Sequence, residues 1–154
     1  MMVYKWKDAK QIRANANEAA QVMNQLAERG ALTAENLVEA SKPGDAPLHN
    51  DFEWDNDKAA NEYRKHQARN IINALVIVPD ETVPTNEPVR AYFQIEDGGR
   101  RYTQLTAIME SPSQMEMLLK SALNELAVFR KKYGLLQELQ DVMKSIDSTQ
   151  MMYG

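Results

Sequence analysis

The sequence predicts an α+β fold: an N-terminal three-helix region, a small three-stranded antiparallel sheet, and two C-terminal helices. Three observations carry that expectation. Apolar residues recur at three- and four-residue spacing near both ends of the chain, as on the buried stripe of a helix. Between those ends, ALVIV (74–78) and the alternating VRAYFQIE (89–96) read as strands, with Asp97-Gly98-Gly99 as a hairpin turn. The chain has 154 residues, 44% hydrophobic and 26% charged, the balance of one globular domain or of two lobes sharing a core. The change of period divides it into a helical region, 1–73, and a sheet with C-terminal helices, 74–154, built on one core.

The first helix is expected from about Lys10 to Arg29, with Ile12, Ala16, Ala19, Met23 and Leu26 inward and Gly30 as a left-handed cap. Thr33 caps a short second helix, Leu32 and Leu37 form its hydrophobic staple, and Pro43-Gly44 ends it after Lys42. A third helix is expected over about Asn56–Asn73. Asp55 caps it, and its inward stripe is Ala59, Ala60, Tyr63, Gln67 and Ile71. The strand 74–78 leads through the polar loop PDETVPTNEP to VRAYFQIE. That strand turns Val89, Ala91, Phe93 and Ile95 inward and Arg90, Tyr92, Gln94 and Glu96 outward, and RYTQLTAIM returns as its partner. Ser111-Pro112-Ser113-Gln114 is a capping box opening a helix that runs to Tyr133. Along it Met115, Leu119, Ala122, Leu126, Phe129 and Tyr133 make a heptad-like seam. A last helix repeats the rhythm with Leu136, Leu139, Met143 and Ile146.

Within DAPLHNDFEWDND (45–57), Asp51, Glu53, Asp55, Asp57 and Glu62 match the spacing of an EF-hand loop. Asn56 stands where that loop needs glycine, Lys58 where it needs an apolar residue, and no entering helix precedes Asp51. The stretch therefore reads as an extended surface segment, with Phe52 and Trp54 filling a gap on one side and the acids solvated on the other. No metal site and no cofactor are expected.

Cysteine is absent, which excludes disulfides and thiol chemistry; the two histidines, His49 and His66, are isolated. No phosphate loop, nucleophile elbow or HExxH motif occurs, so no catalytic residue is assigned and the protein reads as a non-enzyme. No apolar run approaches the roughly 18 residues of a membrane span, and MMVYKWKDAKQIR does not read as a signal peptide, so a cytoplasmic protein without membrane contact is expected.

The formal net charge of −4 opposes nucleic-acid binding by the protein as a whole, so any such binding needs a local patch. The third helix supplies one: Lys58, Arg64, Lys65, His66 and Arg69, with polar Asn61 and Asn70. Three helices leading to Arg69 have a helix-turn-helix character, although the turn before the third is longer than the motif's. The nucleic-acid-binding set is Lys58, Asn61, Arg64, Lys65 and Arg69, and it requires those cations to face solvent unneutralised. The order helix, three strands, helix over 56–133 resembles the double-stranded-RNA-binding fold. SPSQMEM, however, lacks the lysines with which that fold holds phosphate.

LTAENLVEA, PLHNDFEWD and AANEYRKHQAR, within Leu32 to Ile72, resemble a family of small uncharacterised proteins of tailed bacteriophages and prophages. The resemblance implies a phage-encoded protein acting in the bacterial cytoplasm or built into the virion, and carries over no activity. Two readings follow. One is an accessory protein binding DNA or RNA, mainly through phosphates, with the basic helix face. The other is a protein-interaction module, a virion or assembly component or a binder of a phage or host protein. It would use the acidic loop and the Met-rich C-terminal helices (Met115, Met117, Met143, Met151, Met152), with a homodimer among its forms.

Overall fold

The computed structural model describes residues 2–7, 11–55, 57–78, 87–96 and 99–154. In order they form β1 (Tyr4–Trp6), α1 (Ala16–Glu28), α2 (Ala34–Ser41), a 3-10 turn (His49–Asp51), α3 (Lys58–Ala74), β2 (Leu75–Ile77), β3 (Val89–Arg90), β4 (Tyr92–Phe93) and β5 (Thr103–Gln104). Then follow α4 (Leu105–Met109), α5 (Pro112–Tyr133), a second 3-10 turn (Gln137–Leu139) and α6 (Gln140–Tyr153). The architecture is α+β. Lys10, Asn56, most of the polar loop and the Asp97-Gly98 turn lie outside the described residues.

Helix starts follow local chemistry. Asn15, not a residue near Lys10, caps α1: its side chain accepts from Asn17 N and Glu18 N, so the helix begins at Ala16. Thr33 accepts from Asn36 N, and Leu32 and Leu37 are both fully buried, as the staple requires. Gly30 ends the preceding turn at φ 65, a conformation that costs glycine little. Asp57, rather than Asp55, caps α3 through Ala60 N.

The strands are distributed differently from the expected single three-stranded sheet. β2 pairs antiparallel with β1 (Tyr4↔Ile77, Trp6↔Leu75) and with β3 (Val76↔Arg90), giving the order β1-β2-β3. β4 and β5 form a separate ladder (Tyr92↔Gln104, Phe93↔Thr103), and the rest of the expected return strand is α4. The switch occurs at Ala91, where the chain bends and leaves one ladder for the other. Alternation breaks there, so Ala91 and Tyr92 are both buried, although Tyr92 was expected outward. With β1 drawn from before α1, the topology is not that of the double-stranded-RNA-binding fold.

The chain forms two compact units, Met1–Ala107 and Ile108–Gly154, so the described strands stay with the N-terminal helices instead of starting a second region at residue 74. In the first unit, Met23, Leu32, Leu37, Leu48, Ile72, Leu75 and Ile77 are sealed from solvent. Each contributes about 2 kcal/mol of apolar burial. In the second unit α5 packs on α6: Leu123, Met143 and Ile146 are buried, and Gln150 Nε2 donates to Leu123 O at 2.8 Å. Arg130 donates from Nε and Nη2 to the two carboxylate oxygens of Asp147 and holds that carboxyl below the usual carboxylate range, so the pair is complete at neutral pH.

A polar hub joins the elements of the first unit. Asn24 on α1 accepts at Oδ1 from the Tyr92 hydroxyl and from Gln104 Nε2, both at 2.8 Å, and donates from Nδ2 to Tyr4 Oη at 3.3 Å. One amide therefore ties α1 to β1, β4 and β5. Burial pushes the Tyr92 hydroxyl far above the ordinary tyrosine range, so it stays a neutral donor. Asn24→Ala strands the buried Tyr92 hydroxyl and the half-buried Gln104 amide and is expected to cost about 2 kcal/mol, read as a lowered urea midpoint; an unchanged midpoint contradicts the hub.

Candidate functional site

The face of α3 that turns inward is set by the stripe Ala60, Arg64, Ala68, Ile71 and Ile72. Arg64, Ala68, Ile71 and Ile72 are buried, while Tyr63 is 54% exposed. The expected stripe through Tyr63 and Gln67 is thus rotated by one residue. Arg64 sits among apolar neighbours at the three- and four-residue spacing of a core position. It is only 7% exposed.

Burying a guanidinium requires partners for its hydrogens. Arg64 Nη1 donates to the carbonyls of Glu53 and Asp55 at 2.7 and 2.8 Å, and Nη2 donates to Asn61 Oδ1 at 3.4 Å. Its carbon centre lies 5.5 Å from the centroid of the Trp54 ring. Trp54 in turn stacks on His49, with centroids 5.0 Å apart, and donates from Nε1 to His49 O. His49 Nδ1 bonds Ser41 O, which fastens the turn to the end of α2. Phe52 is buried in the core cluster. The acidic, aromatic stretch is therefore a structural clasp closed by Arg64.

The acids of that stretch have separate tasks. Asp51 accepts at its two oxygens from Arg13 N and Ala14 N, at 2.6 and 3.0 Å, and so pins the segment before α1. Asp57 caps α3. Among the described residues no group of three or more His, Asp or Glu side chains is placed to hold a metal.

Of the five residues expected to contact nucleic acid, three are engaged internally. Arg64 is buried in the clasp, and Asn61 accepts from it. Lys65 Nζ lies 3.3 Å from Glu62 and 3.9 Å from Glu35, and is therefore substantially neutralised. Arg69 is exposed and makes no ion pair with a described residue. The side chain of Lys58 lies outside the described residues. Helical spacing from Ala60 to Ile72 carried the signal that Arg64 turns inward.

Arg69 is brought together with residues the sequence did not connect to it. A cleft of about 250 Å³ is lined by Glu35, Glu62, Lys65, Arg69, Gln94, Arg100 and Tyr102. Glu35 also lies 3.7 Å from Arg100 Nη1, so acids and cations alternate around it. Burial raises the Tyr102 hydroxyl above its ordinary range, while Arg69 and Arg90 pull it the other way. A larger cleft, about 510 Å³, is lined by Lys7, Asp51, Tyr63, His66, Gln67 and Asn70 among others. Its one carboxylate among the described residues, Asp51, is spent on backbone N–H groups.

In the second unit the seam expected to bury α5 does not do so. Leu123 is the buried residue of α5. Met115, Leu119 and Tyr133 are 42%, 40% and 37% exposed; Ala122 is also exposed, and Leu126 and Phe129 are half-buried. Leu135, Met151 and Met152 are more exposed still.

No helix among the described residues is long and apolar enough to cross a membrane. Compared with protein-family models, curated proteins and solved structures, the chain matches none. Arg64→Ala is expected to cost about 2–4 kcal/mol, from two charge-assisted bonds and lost packing. Arg64→Lys fails to restore it, because one ammonium cannot reproduce the fork. Arg69→Ala should stay within about 0.5 kcal/mol. Thermal or urea unfolding of the three variants checks the order, and equal stabilities for Arg64→Ala and Arg69→Ala overturn it.

Proposed function

We propose that the protein is a non-catalytic protein-interaction module that engages its partner through the C-terminal helices. The setting implied by the 32–72 resemblance is a tailed phage or prophage. The observation that carries the reading is the exposed seam of α5. Six apolar positions in heptad rhythm are a pattern that helices bury against another helix, and α6, packed along Leu123 and Arg130, leaves Met115, Leu119, Ala122 and Tyr133 of that seam exposed. Methionines at Met115 and Met117 add side chains that adapt to a partner's shape. The acidic loop, offered earlier as a second contact, is committed to the Arg64 clasp and contributes at most its outward carboxylates.

The test replaces Leu119 and Tyr133, both partly exposed, by glutamate. Tagged wild-type chain recovered from host cells, with untagged chain co-expressed, is expected to retain a stoichiometric protein, its own copy or another. The double variant is expected to lose it while keeping its helical circular dichroism. Identical recoveries from both overturn the reading.

A second reading keeps nucleic acid as the partner, supported by the placement of Arg69 and Arg100 on one cleft. Two glutamates oppose the three cations there, so binding on this reading is weak and falls steeply with salt. Arg69→Glu with Arg100→Glu, Arg64 being left intact, should abolish retardation of single- or double-stranded DNA or RNA in a low-salt gel shift. No retardation of the wild-type chain at low salt removes this reading.

A further inference from the structure

We infer that the occupant of the α5 seam is the same seam of a second copy of this chain, lying antiparallel across a two-fold axis. The inference rests on the interaction-module reading and names its partner. α5 runs for 22 residues, about 33 Å, and its seam positions Met115, Leu119, Ala122, Leu126, Phe129 and Tyr133 alternate steps of four and three. A partner that matches such a stripe along its full length is another helix with the same repeat. α5 itself has one.

Side-chain volume selects the direction. In an antiparallel pair, Met115 faces Tyr133 of the second copy, Leu119 faces Phe129, and Ala122 faces Leu126. Every layer then joins a larger residue to a smaller one, as close packing requires. A parallel pair in register sets Ala122 on Ala122, leaving a void, and crowds Phe129 on Phe129 and Tyr133 on Tyr133. The rings of Phe129 and Tyr133 already lie 5.0 Å apart within one helix, so four rings would compete for one end of a parallel pair.

Charge favours the same direction. The last turn of α5 carries Arg130, Lys131 and Lys132, while Glu116 lies in its early turns and Glu110 just before it. Arg130 is already paired with Asp147 of its own chain, so a parallel pair gathers Lys131 and Lys132 of both copies at one place. The antiparallel pair brings each basic end beside the other copy's Glu116, with the helix dipoles also opposed. Lys120 is the one cation in the first half of α5, and Glu125 meets its own copy near the axis. The ends outweigh that single like pair. The two-fold axis makes each contact occur twice, as in an isologous dimer.

The chain contains no cysteine, so introduced thiols report the arrangement without background. Met115→Cys/Tyr133→Cys in one chain is expected to give a disulfide-linked dimer under mild oxidation, while each single variant stays unlinked. Light scattering across a dilution series is expected to give twice the chain mass for the wild type, and half that value for Leu119→Glu with unchanged circular dichroism. Linking through Met115→Cys alone means a parallel pair and overturns the proposed geometry. A wild-type chain that is monomeric throughout overturns the second copy as occupant. If that monomer still retains a different stoichiometric protein through Leu119 and Tyr133, the interaction-module reading stands. If it retains none, both fall.

Discussion

The Arg64 guanidinium is the constraint around which the first unit is arranged. It is a permanent charge placed at a core position of α3, and a charge there is tolerated only because the chain delivers oxygen to it. Two successive outward-alternating residues, Glu53 and Asp55, supply backbone carbonyls, and the Trp54 ring between them lies beside the cation. The irregular stretch between α2 and α3 thereby acquires a fixed course without secondary structure of its own beyond one 3-10 turn. Through Trp54 and His49 the same contact reaches the end of α2.

That arrangement has a functional consequence. A helix that looks basic in sequence uses its central arginine as internal glue and balances Lys65 against Glu62 and Glu35. The field it presents is much weaker than its composition implies. The reverse holds for α5, whose apolar seam looks in sequence like core and in the structure leaves Met115, Leu119, Ala122 and Tyr133 exposed. The surface of this protein is therefore more apolar at its C-terminal helices and less basic at α3 than a residue count suggests, which shifts the weight from nucleic acid to protein as partner.

Elements whose signals are local were legible in the residues. Thr33 with Leu32 and Leu37, Gly30, Ser111-Pro112, and the stop at Tyr133 all depend on contacts within a turn or two. The short strands were less so. β1 is three residues long, and its strand partner β2 lies far along the chain. β4 separates from β3 at a single bend, and the expected continuation of the last strand folds as α4. Pairing of such short segments is a tertiary property, since isolated two-stranded ladders have little stability of their own.

The residues alone determined the α+β class, the helix starts and stops that rest on caps, the lack of thiol chemistry, and the existence of one basic helix and one heptad seam. Which cations remain available, which stripe is buried, and which acids serve as caps were decided by the tertiary fold. The physical reason is that an arginine, an aspartate or a leucine has the same intrinsic chemistry wherever it stands. Whether its hydrogen bonds and apolar area are satisfied within the chain or left for a partner depends on neighbours distant in sequence.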